Sequence, residues 1–264
     1  MTRRALLLAP LALRLRGAAV EDVLALVQSA AQALRGGKAD AFAACFDPKM
    51  PGYRDIEASV SKLLGAASIQ TSLTVSGQNG DREARMFEVD WTLEITANDS
   101  SSGTTTRRGK VICRAALQDG KWRFVRFDAP AGFFAPPHGR EAWDLIARIA
   151  GALTINDVTD DGQKQQAVAT FLDGFDHAMP RYEQLRTDVS ALSLEYRLEN
   201  SIELRQNGGD DRMRNLELDW VMTLTDWQNS ARSLQRRVTA KCRVVQLGKR
   251  WRIASFEPLS LFAP

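Results

Sequence analysis

The sequence predicts an α+β fold written twice, each copy a set of helices packed on one face of a four-stranded antiparallel sheet. Three observations predict it. A single register of 129 residues relates two stretches of the chain. Apolar residues recur at helical spacing early in each stretch, and they alternate with polar residues later in each.

The register is carried by rare residues. Phe46, Asp47, Met50, Pro51 and Tyr53 are answered by Phe175, Asp176, Met179, Pro180 and Tyr182. Trp91 is answered by Trp220, Cys113 by Cys242 and Trp122-Arg123 by Trp251-Arg252. The register slips by one only at the end, where Phe134-Ala135-Pro136 answers Phe262-Ala263-Pro264. This divides the chain into a leader, residues 1–19, and two domains, residues 20–137 and 138–264.

Within the first copy, Val23, Leu26, Val27, Ala30 and Leu34 share one helical face, and Gly36-Gly37 ends that helix. Lys38 to Phe46 reads as a second, short helix. Pro51 suits a helix start, and Ile56, Val60, Leu63 and Leu64 give the third apolar stripe. Gln78 to Asp81 reads as a turn between the first two strands. Phe87, Val89, Trp91, Leu93 and Ile95 then alternate with acids and a threonine, which gives a strand with one dry face. Val111, Cys113, Ala115 and Leu117 line a third strand, and Asp119-Gly120 turns it into a fourth. The second copy begins with a helix over 140–153, a longer joint over 156–162, and then the same series.

Residues 1–19 have the layout of a secretory signal. Arg3-Arg4 precede the apolar run Ala5–Leu13, and Gly17-Ala18-Ala19 offers a cleavage site before Val20. The expectation is an exported protein, periplasmic or extracellular. The longest apolar run falls well short of the ~20 residues that span a bilayer, so no stable membrane insertion is expected. The leader also distorts the charge. Removing its four arginines from the formal net charge of +3 leaves −1 for residues 20–264, which argues against a nucleic-acid surface. Three cysteines and two histidines, without metal-ligand spacing, argue against a metal, and no cofactor is expected.

Helices, the segment Phe46-Asp47-Pro48-Lys49-Met50-Pro51-Gly52-Tyr53, a third helix and long strands ending in Trp-Arg resemble the nuclear transport factor 2-like superfamily. The likeness extends to bacterial exported members that carry this signature. The second copy departs from it at His177, Ala178 and Arg181. The resemblance implies a cone, with a curved sheet wrapped around helices and a pocket between them. It implies little about function, because the fold hosts unrelated activities.

The pocket candidates are Tyr53, Trp91 and Arg107 and their equivalents Tyr182, Trp220 and Arg236. Both tyrosines begin a helix and are expected to bury the ring and wet the hydroxyl. Arg107 and Arg236 have inward parity, suited to a ligand carboxylate or to a neighbouring acid. Glu88, Asp90, Arg108, Arg114, Glu217, Asp219, Arg237 and Arg243 have outward parity. They read either as a ladder of acids against bases or as faces joining the two copies in an internal pseudo-dimer. No pair of titratable groups makes a catalytic constellation. The leading reading is a non-catalytic exported binding protein, with a small apolar ligand or an envelope protein as partner. The alternatives are an acid–base isomerase, dehydratase or hydrolase, and a scaffold whose cones are filled by their own side chains.

Overall fold

A computed structural model describes residues 9–155 and 160–264, with residues 9–19 described as backbone alone. The first four residues of the leader's apolar run, 5–8, and residues 156–159 of the 156–162 joint lie outside the described residues. Contacts divide the chain into two compact units. Unit 1 comprises Met1–Asn98 and Thr106–Pro137; unit 2 comprises Asp99–Thr105 and His138–Pro264. The segment 99–105, which the repeat register assigns to the first copy, groups with the second unit.

Unit 1 contains helices α1 (Ala9–Arg35), α2 (Ala39–Ala43) and α3 (Tyr53–Ala66), then strands β1 (Ala67–Gly80), β2 (Ala84–Ala97), β3 (Thr104–Gln118, its first two residues grouping with unit 2) and β4 (Lys121–Asp128). Unit 2 contains α4 (Arg140–Ala152), α5 (Asp161–Leu172) and α6 (Tyr182–Glu195), then β5 (Tyr196–Gly209), β6 (Met213–Asp226), β7 (Ser233–Leu247) and β8 (Arg250–Glu257). A 3-10 turn over Leu259–Phe262 follows. The strands of each unit follow one another in an antiparallel meander.

Sequence alternation sets the faces. Phe87, Val89, Trp91, Leu93 and Ile95 of β2 are buried, as are Leu216, Leu218, Trp220, Met222 and Leu224 of β6. Each row lies in the core of its own unit, with the buried faces of the helices. The sheets curve at matched irregularities. Register shifts fall at Ser76/Asn79 and Arg114/Ala115 in unit 1, and at Leu204/Gln206 and Arg243/Val244 in unit 2. An extra residue in one strand bends it, so these bulges wrap the sheet around its core.

The shared Phe-Asp segment explains why α2 is shorter than the sequence predicts. Phe124 N donates to Cys45 O at 2.9 Å, and Asp47 N donates to Phe124 O at 2.9 Å. This short parallel bridge to β4 pulls residues 45–47 out of the helix. The same bridge joins Phe175 to Ile253. Phe46 and Phe175 then point into the cores. The carboxylates of Asp47 and Asp176 accept the amides of Lys49 and Ala178, which turns the chain toward the next helix. The β1–β2 turn begins later than the sequence suggests. Asn79 and Gly80 still pair with β2, and Asp81 Oδ1 closes the turn by accepting the Glu83 and Ala84 amides.

Immediately before α3, Gly52 sits at φ +77°, and its equivalent before α6, Arg181, sits at φ +64°. A side chain in this left-handed region costs about 1–2 kcal/mol that glycine avoids. Arg181→Gly is therefore expected to stabilise the protein by about 1 kcal/mol in urea unfolding, a fraction of the left-handed cost after glycine's added unfolded-state entropy. A loss of stability would mean that the Arg181 side chain contributes more than its backbone strain.

Candidate functional site

The inward row of each unit lies in the core between helices and sheet. An indole N–H buried there needs an acceptor. In unit 1, Trp91 Nε1 donates to the Thr71 hydroxyl on β1. In unit 2, Trp220 Nε1 donates to Asn200 Oδ1 at 2.8 Å, and Asn200 Nδ2 donates to Leu153 O at 3.1 Å, just past the end of α4. Thr71 and Asn200 occupy matched positions of the repeat.

The segment after the last strand enters this interior. Phe134 lies 5.6 Å from the Phe42 ring of α2 and 6.3 Å from Trp91, both contacts edge-on. Phe262 lies 5.2 Å from the Phe171 ring of α5 and 5.7 Å from Trp220, again edge-on. In each unit a tail phenylalanine is thus inserted between a helix and the sheet. Gly109 makes way for the first tail: a Cβ there would come within 2.7 Å of Pro130 Cγ and 3.2 Å of the Phe133 ring.

Arg107 and Arg236 hold these tails. Arg107 is buried and donates to Phe133 O at 3.3 Å, to Pro136 O at 3.2 Å and to Ala135 O. Arg236 donates to Leu261 O at 3.1 Å and to Ala263 O. The sequence weighs a ligand carboxylate against a nearby acid for these arginines. The geometry supplies a third kind of partner, the backbone carbonyls of the chain's own tail.

The other candidates stand apart from this interior. Tyr53 OH donates to Glu57 Oε1 at 3.2 Å on the surface, with its ring against the core. Burial, then the Glu57 contact, raises its pKa. Tyr182 stacks beside His177 at 4.7 Å, and burial raises its pKa too. Neither hydroxyl is made a better acid. The Cys113 and Cys242 thiols are also raised by burial, which suits inert core positions.

Two of the outward residues, Glu88 and Asp219, have partners within their own units. Lys110 Nζ lies 2.8 Å from Glu88 Oε2. Arg205 Nη2 lies 2.6 Å from Asp219 Oδ2, and the Thr239 hydroxyl donates to Asp219 Oδ1 at 2.9 Å. These contacts hold the Asp219 carboxyl below its usual range, Arg205 first and Thr239 second. Glu217 and Arg243 line a 660 Å³ groove on unit 2 with Lys241 and Glu257. Asp90, Arg108, Arg114 and Arg237 are exposed strand residues.

The sequence missed Thr71, Asn200 and the tail phenylalanines as parts of this site. The repeated Phe-Ala-Pro of residues 134–136 and 262–264 was the available signal. A charged donor to a buried carbonyl contributes about 1.5–3 kcal/mol. Arg107→Ala and Arg236→Ala should each destabilise the protein by roughly that amount in urea unfolding, and acrylamide should quench tryptophan fluorescence more strongly. Lysine at either site should rescue only part of the loss, because one ammonium does not reproduce a fork. Unchanged stability and quenching in both alanine variants would remove the clamp.

No family model and no curated protein matches the chain. It is similar to a nuclear transport factor 2-like protein of unknown function from Shewanella oneidensis, at 15% identity over 42% of this chain and 97% of that one, with a TM-score of 0.34. It is similar to a protein of unknown function from Mycobacterium tuberculosis, at 13% identity over 58% and 86%, with a TM-score of 0.36. A proposed scytalone dehydratase from Novosphingobium aromaticivorans matches at 12% identity over 44% and 85%, with a TM-score of 0.37. The described residues form an α+β architecture of helices laid against antiparallel strands.

Proposed function

We propose that this protein is a non-catalytic interaction protein whose cones are occupied by its own tails. The observation that carries this reading is the placement of Phe134 between Phe42 and Trp91, and of Phe262 between Phe171 and Trp220. Those positions are where a small apolar ligand would have to lie. Fully burying each phenylalanine contributes about 1.5–3 kcal/mol, so a ligand entering the cone would first have to displace a well-held group.

The chemistry around the two tryptophans supports the same reading. Their neighbours in the ring and hydrogen-bond contacts are phenylalanines, Thr71 and Asn200. None of these moves a proton near neutral pH. The tyrosines that could serve as acids stand outside the aromatic clusters, with raised pKa values. The surfaces of the two units therefore remain as the means of contact with other molecules.

The test is uptake of an apolar probe. With 1-anilinonaphthalene-8-sulfonate, the native protein is expected to leave the dye dark. The Phe134→Ala, Phe262→Ala double variant should bind it, with energy transfer from Trp91 and Trp220. Stoichiometric uptake by the native protein, quenching tryptophan fluorescence, would favour a ligand-holding cone instead.

A further inference from the structure

Unit 2 contains a socket that reads an extended segment. Asn207 Nδ2 donates to Ser101 O at 2.6 Å and to Gly139 O at 3.0 Å. Arg214 is fully buried. It donates to Asn207 Oδ1 at 2.8 Å, to the Thr105 hydroxyl at 2.7 Å and to Ser102 O at 2.7 Å. Thr104 and Thr105 pair in parallel with Gly208 and Gly209 at the end of β5. A Cβ on Gly103 would fall 1.9 Å from Asn207 O, so only glycine fits there. The segment is itself braced by Asp99, whose carboxyl is lowered to about 2 by the hydroxyls of Ser101 and Ser102 and then by their amides. The socket therefore selects an extended, hydroxyl-rich stretch with one glycine by adding it to a strand edge.

The 129-residue register places the same parts in unit 1. Gln78 stands for Asn207, Arg85 for Arg214, and Asn79-Gly80 for Gly208-Gly209. The turn is built alike: Gly80 has φ +136° and Gly209 φ +146°, and Asp81 and Asp210 each accept two following amides. The contents differ. Asn79 and Gly80 are exposed, while Gly208 and Gly209 are half-buried. Arg85 is 9% exposed, and its Nε has no hydrogen-bond partner among the described residues; neither has the buried Gln78 Oε1. Among the described residues Arg85 shows one hydrogen bond, a long one to Asp81 O at 3.3 Å. A guanidinium so buried and so poorly met is costly.

We propose that Gln78, Arg85 and the Asn79–Gly80 edge form a second socket, for an extended serine- and threonine-rich segment containing one glycine, supplied by a partner protein. The occupied socket of unit 2 shows the chemistry such a site recognises. A second copy of this chain is a poor source. Its 99–105 segment is engaged within its own unit 2, and the matching 228–234 stretch carries Arg232 where Gly103 must lack a Cβ.

The test uses a fluorescein-labelled peptide with the sequence of residues 98–106, titrated into the full chain by fluorescence anisotropy. The expected result is saturable 1:1 binding that protects the Asn79 and Gly80 amides from hydrogen exchange. Arg85→Met should weaken it at least tenfold, and so should alanine at the glycine of the peptide. The peptide variant and the exchange readout use the native protein, so they stand even if Arg85→Met folds poorly. No saturable binding up to ~1 mM would overturn the proposal, leaving the unmet atoms to solvent alone. Binding that ignores both substitutions, or that protects Gly208 and Gly209 instead, would overturn it as well. Neither outcome bears on the filled cones, which the dye measurement tests separately.

Discussion

A guanidinium keeps its charge across the physiological range, so once buried it must be surrounded by acceptors. Arg107, which is buried, and Arg236, which is half-buried, have inward parity on long strands, and both find acceptors in the tail that follows the last strand. Each tail supplies them as a run of backbone carbonyls. Once the tail backbone is held at the arginine, its phenylalanine is delivered into the space between helix and tryptophan. In each unit the arginine and the tail phenylalanine are thus linked through the tail backbone.

The two units meet the same demands with different residues. The buried indole finds a hydroxyl at Thr71 in one unit and an amide at Asn200 in the other. Thr71 meets the indole with its hydroxyl oxygen, and Arg35 from the end of α1 donates to the Thr71 carbonyl. Asn200 has both an acceptor and a donor, and it reaches the end of α4 directly. The residue before the third helix is a glycine in one unit and a strained arginine in the other. The residues differ between the units, while a buried polar group is met by a hydrogen bond in both.

Much of the fold was legible because it depends on periodicity. The alternation through Trp91 and Trp220 identified the buried rows, and the register identified the repeat. The inward parity of Arg107 and Arg236 was legible for the same reason. Their partners were not, because a backbone carbonyl has no letter in the sequence. The Phe-Ala-Pro repeat was visible as a register mark, but nothing local said that it turns back into the core. Residues 99–105 read as an ordinary connection between strands. Their place with Asn207 and Arg214 depends on contacts more than a hundred residues apart. The short α2 was likewise beyond local reading, since a bridge to Phe124 ends it.

The proposal that the tails occupy the cones requires that no open apolar cavity lie against either tryptophan. Xenon enters dry apolar cavities and leaves filled ones empty. In crystals pressurised with xenon, the account predicts no anomalous peak beside Trp91 or Trp220. A well-occupied xenon site between Phe42 and Trp91, or between Phe171 and Trp220, would contradict it.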